Sequence, residues 1–78
     1  MTLKIISAEE ILYQGQVTAV HLPGASGSFT VLRNHAPLIS VLVKGKVEYV
    51  TPDEQRHEIE INGGLADVND NKISVLVY

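Results

Sequence analysis

No stretch of these 78 residues carries apolar side chains at the i, i+3, i+4 spacing of a helix over a helical length. Short β-favouring runs recur instead, each closed by turn residues. That punctuation confines the chain to all-β architectures. Leu3 to Ser7 alternates. Ser7-Ala8-Glu9-Glu10 has the form of a capping box, but Ile11-Leu12-Tyr13 reaches Gly15 too soon for a helix, so a corner is expected there. Gln16 to Leu22 reads as one strand, and the broken alternation between Val17 and Val20 predicts a bulge. Pro23-Gly24-Ala25-Ser26-Gly27 is a turn, and Ser28 to Leu32 the next strand. Leu38 to Val43 is nearly all apolar, a strand buried on both faces or buried on one and covered by a partner on the other. Lys44-Gly45-Lys46 reads as a tight hairpin turn.

The second half continues the pattern. Val47 and Tyr49 alternate with Glu48 and Val50, and Thr51-Pro52-Asp53-Glu54-Gln55 is a polar hairpin tip. Arg56 to Ile61 sets Ile59 and Ile61 inward, with Glu58 and Glu60 outward. Asn62-Gly63-Gly64 bends or bulges the chain. Leu65 to Val68 leads to the turn Asn69-Asp70-Asn71-Lys72, whose Asn and Asp residues tolerate positive φ. Ile73, Val75 and Val77 line one face of a last strand. The expected architecture is a single domain over residues 1–78, a flattened antiparallel β-sandwich of short strands without substantial helix.

Composition removes several function classes. The formal charge is −3, and the six Lys and Arg residues are scattered, so no basic stripe for nucleic acid exists. The four aromatics, Tyr13, Phe29, Tyr49 and Tyr78, do not repeat as a base-stacking platform would. No apolar run approaches the roughly 20 residues of a membrane span, and the N-terminus lacks a signal-peptide pattern. Direct membrane insertion is not expected. There is no cysteine, so neither a disulfide nor a thiolate zinc site is available.

Catalytic chemistry is equally thin. His21, His35 and His57 lie far apart and form no local metal motif. The carboxylates alternate outward on strands or sit in turns, where general acid–base work is disfavoured. No serine stands in a nucleophile-elbow pattern. Gly24 and Gly27 flank a loop followed by a strand, not the helix that a phosphate cradle requires. No cofactor, metal or catalytic residue is expected, and the chain is read as a non-enzyme. His35 stands apart because Ala36, preceding Pro37, is held extended, which stiffens that corner. The imidazole either bonds its own turn or contacts a partner.

Three segments, in order and at suitable spacing, carry a family resemblance. They are Ser7-Ala8-Glu9 through Gln16-Val17, then Leu22-Pro23-Gly24 through Gly27-Ser28-Phe29-Thr30-Val31-Leu32 to His35-Ala36-Pro37-Leu38, and Gly63-Gly64-Leu65 through Val75-Leu76. Together they span essentially the whole chain, and they resemble the ε subunit of rotary F-type ATP synthases. The His-Ala-Pro-Leu and Gly-Gly steps are the specific parts.

The resemblance implies a non-catalytic central-stalk subunit that binds the γ subunit and the c-ring and couples proton flow to ATP synthesis. By position, Ser7, Ala8, His35, Ala36, Pro37 and Leu38 match the γ-facing region. Ala25, Ser26, Gly27 and Ser28 match the c-ring-facing loop, and Arg33 and Asn34 are assigned to the same contact. Most members continue into two C-terminal helices that form a regulatory arm and, in some, bind ATP. No such helices follow the last strand here, so neither that arm nor ATP binding is expected of this chain. Asn34 and Arg33 stand where glycine and proline are common, and Ser28 where many members are acidic. The implied location is peripheral, on the cytoplasmic face of a bacterial inner membrane. The alternative is a free-standing β-sandwich module that binds a peptide or small ligand in a concave pocket.

Overall fold

Seven strands make up most of the computed structural model, which describes all of residues 1–78. They are β1 (Thr2–Ile6), β2 (Ile11–Gln16), β3 (Ala19–Leu22), β4 (Phe29–Leu32), β5 (Leu38–Val50), β6 (Arg56–Asn69) and β7 (Lys72–Val77). One hydrogen-bonded sheet joins them in the order β2-β1-β7-β6-β5-β3-β4. All pairs are antiparallel except β1 with β7, which is parallel.

The sheet folds over on itself, and strand length shows why. A straight 13-residue β5 would span about 43 Å at ~3.3 Å per residue, yet the longest dimension of the molecule is 27 Å. The β5–β6 hairpin must therefore bend sharply. Side-chain direction marks the place: Leu42 points into the core, but beyond the bend Val47 and Tyr49 do, which is the opposite parity. On β6 the inward positions change from Ile61 to Ala66 and Val68. One layer thus holds β2, β1, β7 and the halves of β6 and β5 nearest Asn69 and Leu38. The other holds the remaining halves with β3 and β4. Leu3, Ile5, Val20, Leu22, Val31, Val47, Ala66, Val68, Ile73 and Val75 fill the space between, almost without solvent exposure.

Two sequence expectations are corrected here. Lys44-Gly45-Lys46 is not a hairpin turn: Gly45 pairs with Ile61 inside the continuous β5–β6 ladder, whose only turn lies near Thr51 to Gln55. Glycine is used there for close approach, since a Cβ on Gly45 would lie 3.0 Å from the Pro23 ring. The irregularity at Val17 and Thr18 is not a bulge within one strand. The chain there crosses between layers, with the Val17 amide bonded to the Met1 carbonyl and the Thr18 amide to that of Val50. Leu12, at the register shift between Ile5 and Ile6, is the bulged residue instead.

Tyr49 anchors one margin of the core. Its ring stacks on His57 at 5.1 Å and lies 4.3 Å from Tyr13. Burial first, and then Tyr13, push its phenol above the ordinary value of 10.0. The unfolded chain therefore releases this proton before the folded one does. Stability from Tyr49 is intact below about pH 10 and is lost as pH rises through the folded-state value. Urea midpoints are expected to hold between neutral pH and pH ~9 and then fall, and Tyr49→Phe is expected to remove that part of the fall. Lys46, paired with Glu58 at 3.2 Å, shifts in the same direction, but this exposed pair is separable because salt screens it.

Candidate partner-binding face

The two outer surfaces of the sandwich differ in chemistry. Outside β3, β4 and the tip halves of β5 and β6, the outward residues are His21, Thr30, Lys46, Glu48, Arg56, Glu58 and Glu60, with Leu32, Ala19 and Val50 in one row at the margin. That is an ordinary solvated β-surface. The other outer surface is not. Register sets Val41 beside Leu65, Leu65 beside Leu76, Leu76 beside Ile6, and Ile6 beside Ile11. These five side chains form one apolar row across five strands, about 19 Å long at ~4.8 Å per strand.

Exposure along the row is high: 61% for Val41, 46% for Leu65, 55% for Leu76 and 53% for Ile11. Ile39, Val43 and Tyr78 extend the patch, and the Tyr78 ring lies over Gly63. A shallow depression of about 310 Å³ between Ile6, Ile39, Leu65 and Leu76 runs along it. A contiguous exposed apolar patch of this kind on a small protein marks an interaction surface.

The next row on the same face is polar except at its β5 end: Ile39 is followed in register by Asp67, Ser74, Lys4 and Gln14. The face is therefore graded, apolar where the sheet folds over and polar toward the opposite end.

The residues singled out in the sequence fall into two groups that the fold separates. Ser7 and Ala8 lie in the β1–β2 turn, beside Ile6 at the end of the apolar row. The Ser7 hydroxyl accepts the amides of Glu9 and Glu10 there, at 3.4 and 3.2 Å. Ala25, Ser26, Gly27 and Ser28 form an exposed loop at the same end, since the Ala25 amide donates to Val41 and the Val43 amide to Pro23.

Arg33, Asn34, His35, Ala36 and Pro37 lie at the other end of β4, roughly 13 Å from that loop at ~3.3 Å per residue, against the Asn69-Asp70-Asn71 turn. Leu38 is half-buried and pairs with Val68. Each expected contact set is thus divided between the two ends of the sandwich.

The His35 corner is tied down twice. His35 Nδ1 is 2.7 Å from the Ala36 carbonyl, so that nitrogen carries the proton and the imidazole bonds its own turn. Asn34, at φ 65°, and Asn71, at φ 59°, hold each other. The Asn34 amide donates to Asn71 Oδ1 at 2.7 Å, and Asn71 Nδ2 donates to Asn34 Oδ1 at 3.2 Å. Asn34→Gly keeps the backbone bond and the left-handed conformation, so its urea midpoint is expected within ~0.5 kcal/mol of the parent. Asn34→Ala is expected to cost about 1 kcal/mol or more.

Ile6, Ile11 and Leu65, members of the apolar row, were not singled out in the sequence. Val41, within the apolar run Leu38 to Val43, and Leu76, off the parity of Ile73, Val75 and Val77, did carry a signal. No three His, Cys, Asp or Glu side chains converge, and no side-chain N or O is buried without a partner.

Comparison with known proteins gives this face its context. The family model for the ATP synthase delta/epsilon chain β-sandwich domain matches residues 1–78. An ATP synthase epsilon chain of Leptospira borgpetersenii is 40% identical over 97% of this chain and 59% of its own length. That of Chlorobium limicola is 35% identical over 95% of this chain and 84% of its own length. The chain thus spans about three fifths of several curated relatives and most of others. Among solved structures, a chain in the Euglena gracilis mitochondrial ATP synthase, a complex of OSCP, F1 and c-ring, superposes with a TM-score of 0.89 at 25% identity. The match covers 96% of this chain and 48% of that one. A chain of the Tetrahymena thermophila central stalk and c-ring shares the fold, with a TM-score of 0.81 at 12% identity. The chain belongs to the β-sandwich domain family of ATP synthase delta and epsilon chains.

Proposed function

We propose that this chain is a non-catalytic central-stalk subunit of a rotary proton-translocating ATP synthase. It binds the γ subunit and the c-ring, peripherally, on the cytoplasmic face of a bacterial inner membrane. One observation carries the reading: the outer face built from β2, β1, β7, β6 and β5 is apolar where the opposite face is charged. A subunit wedged in a rotating stalk transmits torque only if one broad face is bonded to the rotor, and a flat apolar row suits that better than a concave ligand pocket.

In this reading γ covers the row Val41–Leu65–Leu76–Ile6–Ile11, with Ser7 and Ala8 at its margin. The exposed loop Ala25, Ser26, Gly27 and Ser28 meets the c-ring. His35, Ala36, Pro37 and Leu38 form a second γ contact at the polar end, and Arg33 and Asn34, assigned in the sequence to the c-ring, lie beside them and away from the Ala25 to Ser28 loop. No catalytic residue, cofactor or ATP site belongs to the chain. Mixing it with the γ subunit of the same synthase is expected to give a complex that co-elutes on gel filtration. Two separate peaks at micromolar concentrations of both would overturn the reading.

A further inference from the structure

The apolar face is self-complementary, and this follows from register alone. Strand β7 runs down its middle. Leu76 is central in the apolar row, with Leu65 and Val41 on one side and Ile6 and Ile11 on the other. Ser74 is central in the next row, with Asp67 on one side and Lys4 on the other. The one ion pair in the molecule is Lys46–Glu58 on the opposite face, so neither Asp67 nor Lys4 has a charged partner within the chain.

Consider a two-fold axis lying between two stacked faces, along β7. It sets Leu76 on its own copy, Leu65 over Ile6 and Val41 over Ile11. In the polar row it sets Asp67 over Lys4 of the second copy, twice by symmetry, and Ile39 over the Gln14 side chain at the edges. The apolar row is matched by an apolar row, and both unpaired charges meet their opposites.

We infer that the free subunit pairs with a second copy of itself through this face, two sheets stacked about β7 with Asp67–Lys4 contacts across the two-fold. The inference rests on the reading above only in that γ and the second copy compete for one surface. The arrangement is isologous, as a two-fold interface requires. Its core is two rows deep and five strands wide, below the ~1,200 Å² of a stable interface, so association is weak, with Kd on the order of 100 µM. Lys72, on the axis at the polar end, faces its own copy and limits the contact there. Sheet twist, which splays stacked sheets away from their crossing point, is consistent with that limit. Such pairing shields the apolar face of the unassembled subunit and yields to γ, whose contact is larger.

The charge pattern supplies the test. Sedimentation equilibrium of the 78-residue chain from about 10 µM to about 1 mM is expected to show a monomer–dimer equilibrium. Asp67→Lys and Lys4→Asp each place like charges across the axis and are expected to weaken dimerisation at least 5-fold. The double exchange, Asp67→Lys with Lys4→Asp, is expected to restore it to within 2-fold. A chain that stays monomeric at 1 mM overturns the inference, as do single exchanges without effect or a double exchange that fails to restore pairing. Co-elution with γ is measured separately. A monomeric chain that still binds γ removes this inference alone, whereas a dimer indifferent to γ removes the reading of function alone.

Discussion

Gly64→Ala is expected to leave the chain largely unfolded at room temperature. Gly64 lies where β6 bends between the layers, paired with Leu42 on one side and Val77 on the other. A Cβ there would stand 2.1 Å from the Leu76 carbonyl oxygen and 3.1 Å from the Val77 Cα, both backbone atoms of the neighbouring strand. Backbone inside a paired strand does not yield cheaply, so β6 and β7 must separate at their centre. Substitutions with this mechanism cost about 4 kcal/mol or more, comparable with the whole stability of a 78-residue domain.

The neighbouring glycine is the control. At Gly63 the atom closest to a new Cβ is the Tyr78 hydroxyl, the end of an exposed side chain that can swing away. Gly63→Ala is expected to remain folded with a lowered urea midpoint. Circular dichroism and urea titration of both variants check the pair. Equal stability for the two would mean that close packing of β6 on β7 does not govern the bend.

The second large effect falls on binding. Leu76→Glu puts a carboxylate at the centre of the apolar row, where a covering partner would have to desolvate it. Affinity for γ is expected to fall at least 30-fold, the ~2 kcal/mol threshold of an interface hot spot. Stability is expected to change by less than about 1 kcal/mol, because the side chain is exposed in the free chain and the inward residues of β7 are untouched. Glu48→Leu, on the charged face, is expected to leave γ affinity unchanged. Calorimetric titration of γ with the three proteins separates these outcomes.

Much of the fold was legible because each strand carries its own period. Ile73, Val75 and Val77 announce one inward face, and Ile59 and Ile61 another. The long-range facts were not. Lys44-Gly45-Lys46 resembles a turn locally, and only the Pro23 ring packed against Gly45 explains a glycine in the middle of a strand. Val17 and Thr18 break the alternation in the sequence, but a bulge and a crossing between layers break it identically.

The apolar face was hidden for a related reason. Its five row residues come from positions 6, 11, 41, 65 and 76, and only strand register brings them side by side. The Asn34–Asn71 tie was equally invisible, although Asn at a position needing positive φ was a local signal that a turn there is held in a special conformation. At the His35 corner the sequence left open whether the imidazole bonds its own turn, and the structure shows that bond together with the adjoining Asn34–Asn71 tie.

Because the chain has no cysteine, a single introduced thiol reports on one point of its surface. The most direct measurement is the rate of maleimide labelling of Leu76→Cys and Glu48→Cys variants, each free and in complex with γ. Both sites are exposed in the free chain and are expected to label readily. In the complex, Leu76→Cys is expected to be protected at least 10-fold, whereas Glu48→Cys labels as before. Unchanged labelling of Leu76→Cys in the complex, or protection of Glu48→Cys in its place, would contradict the claim that γ covers the apolar face.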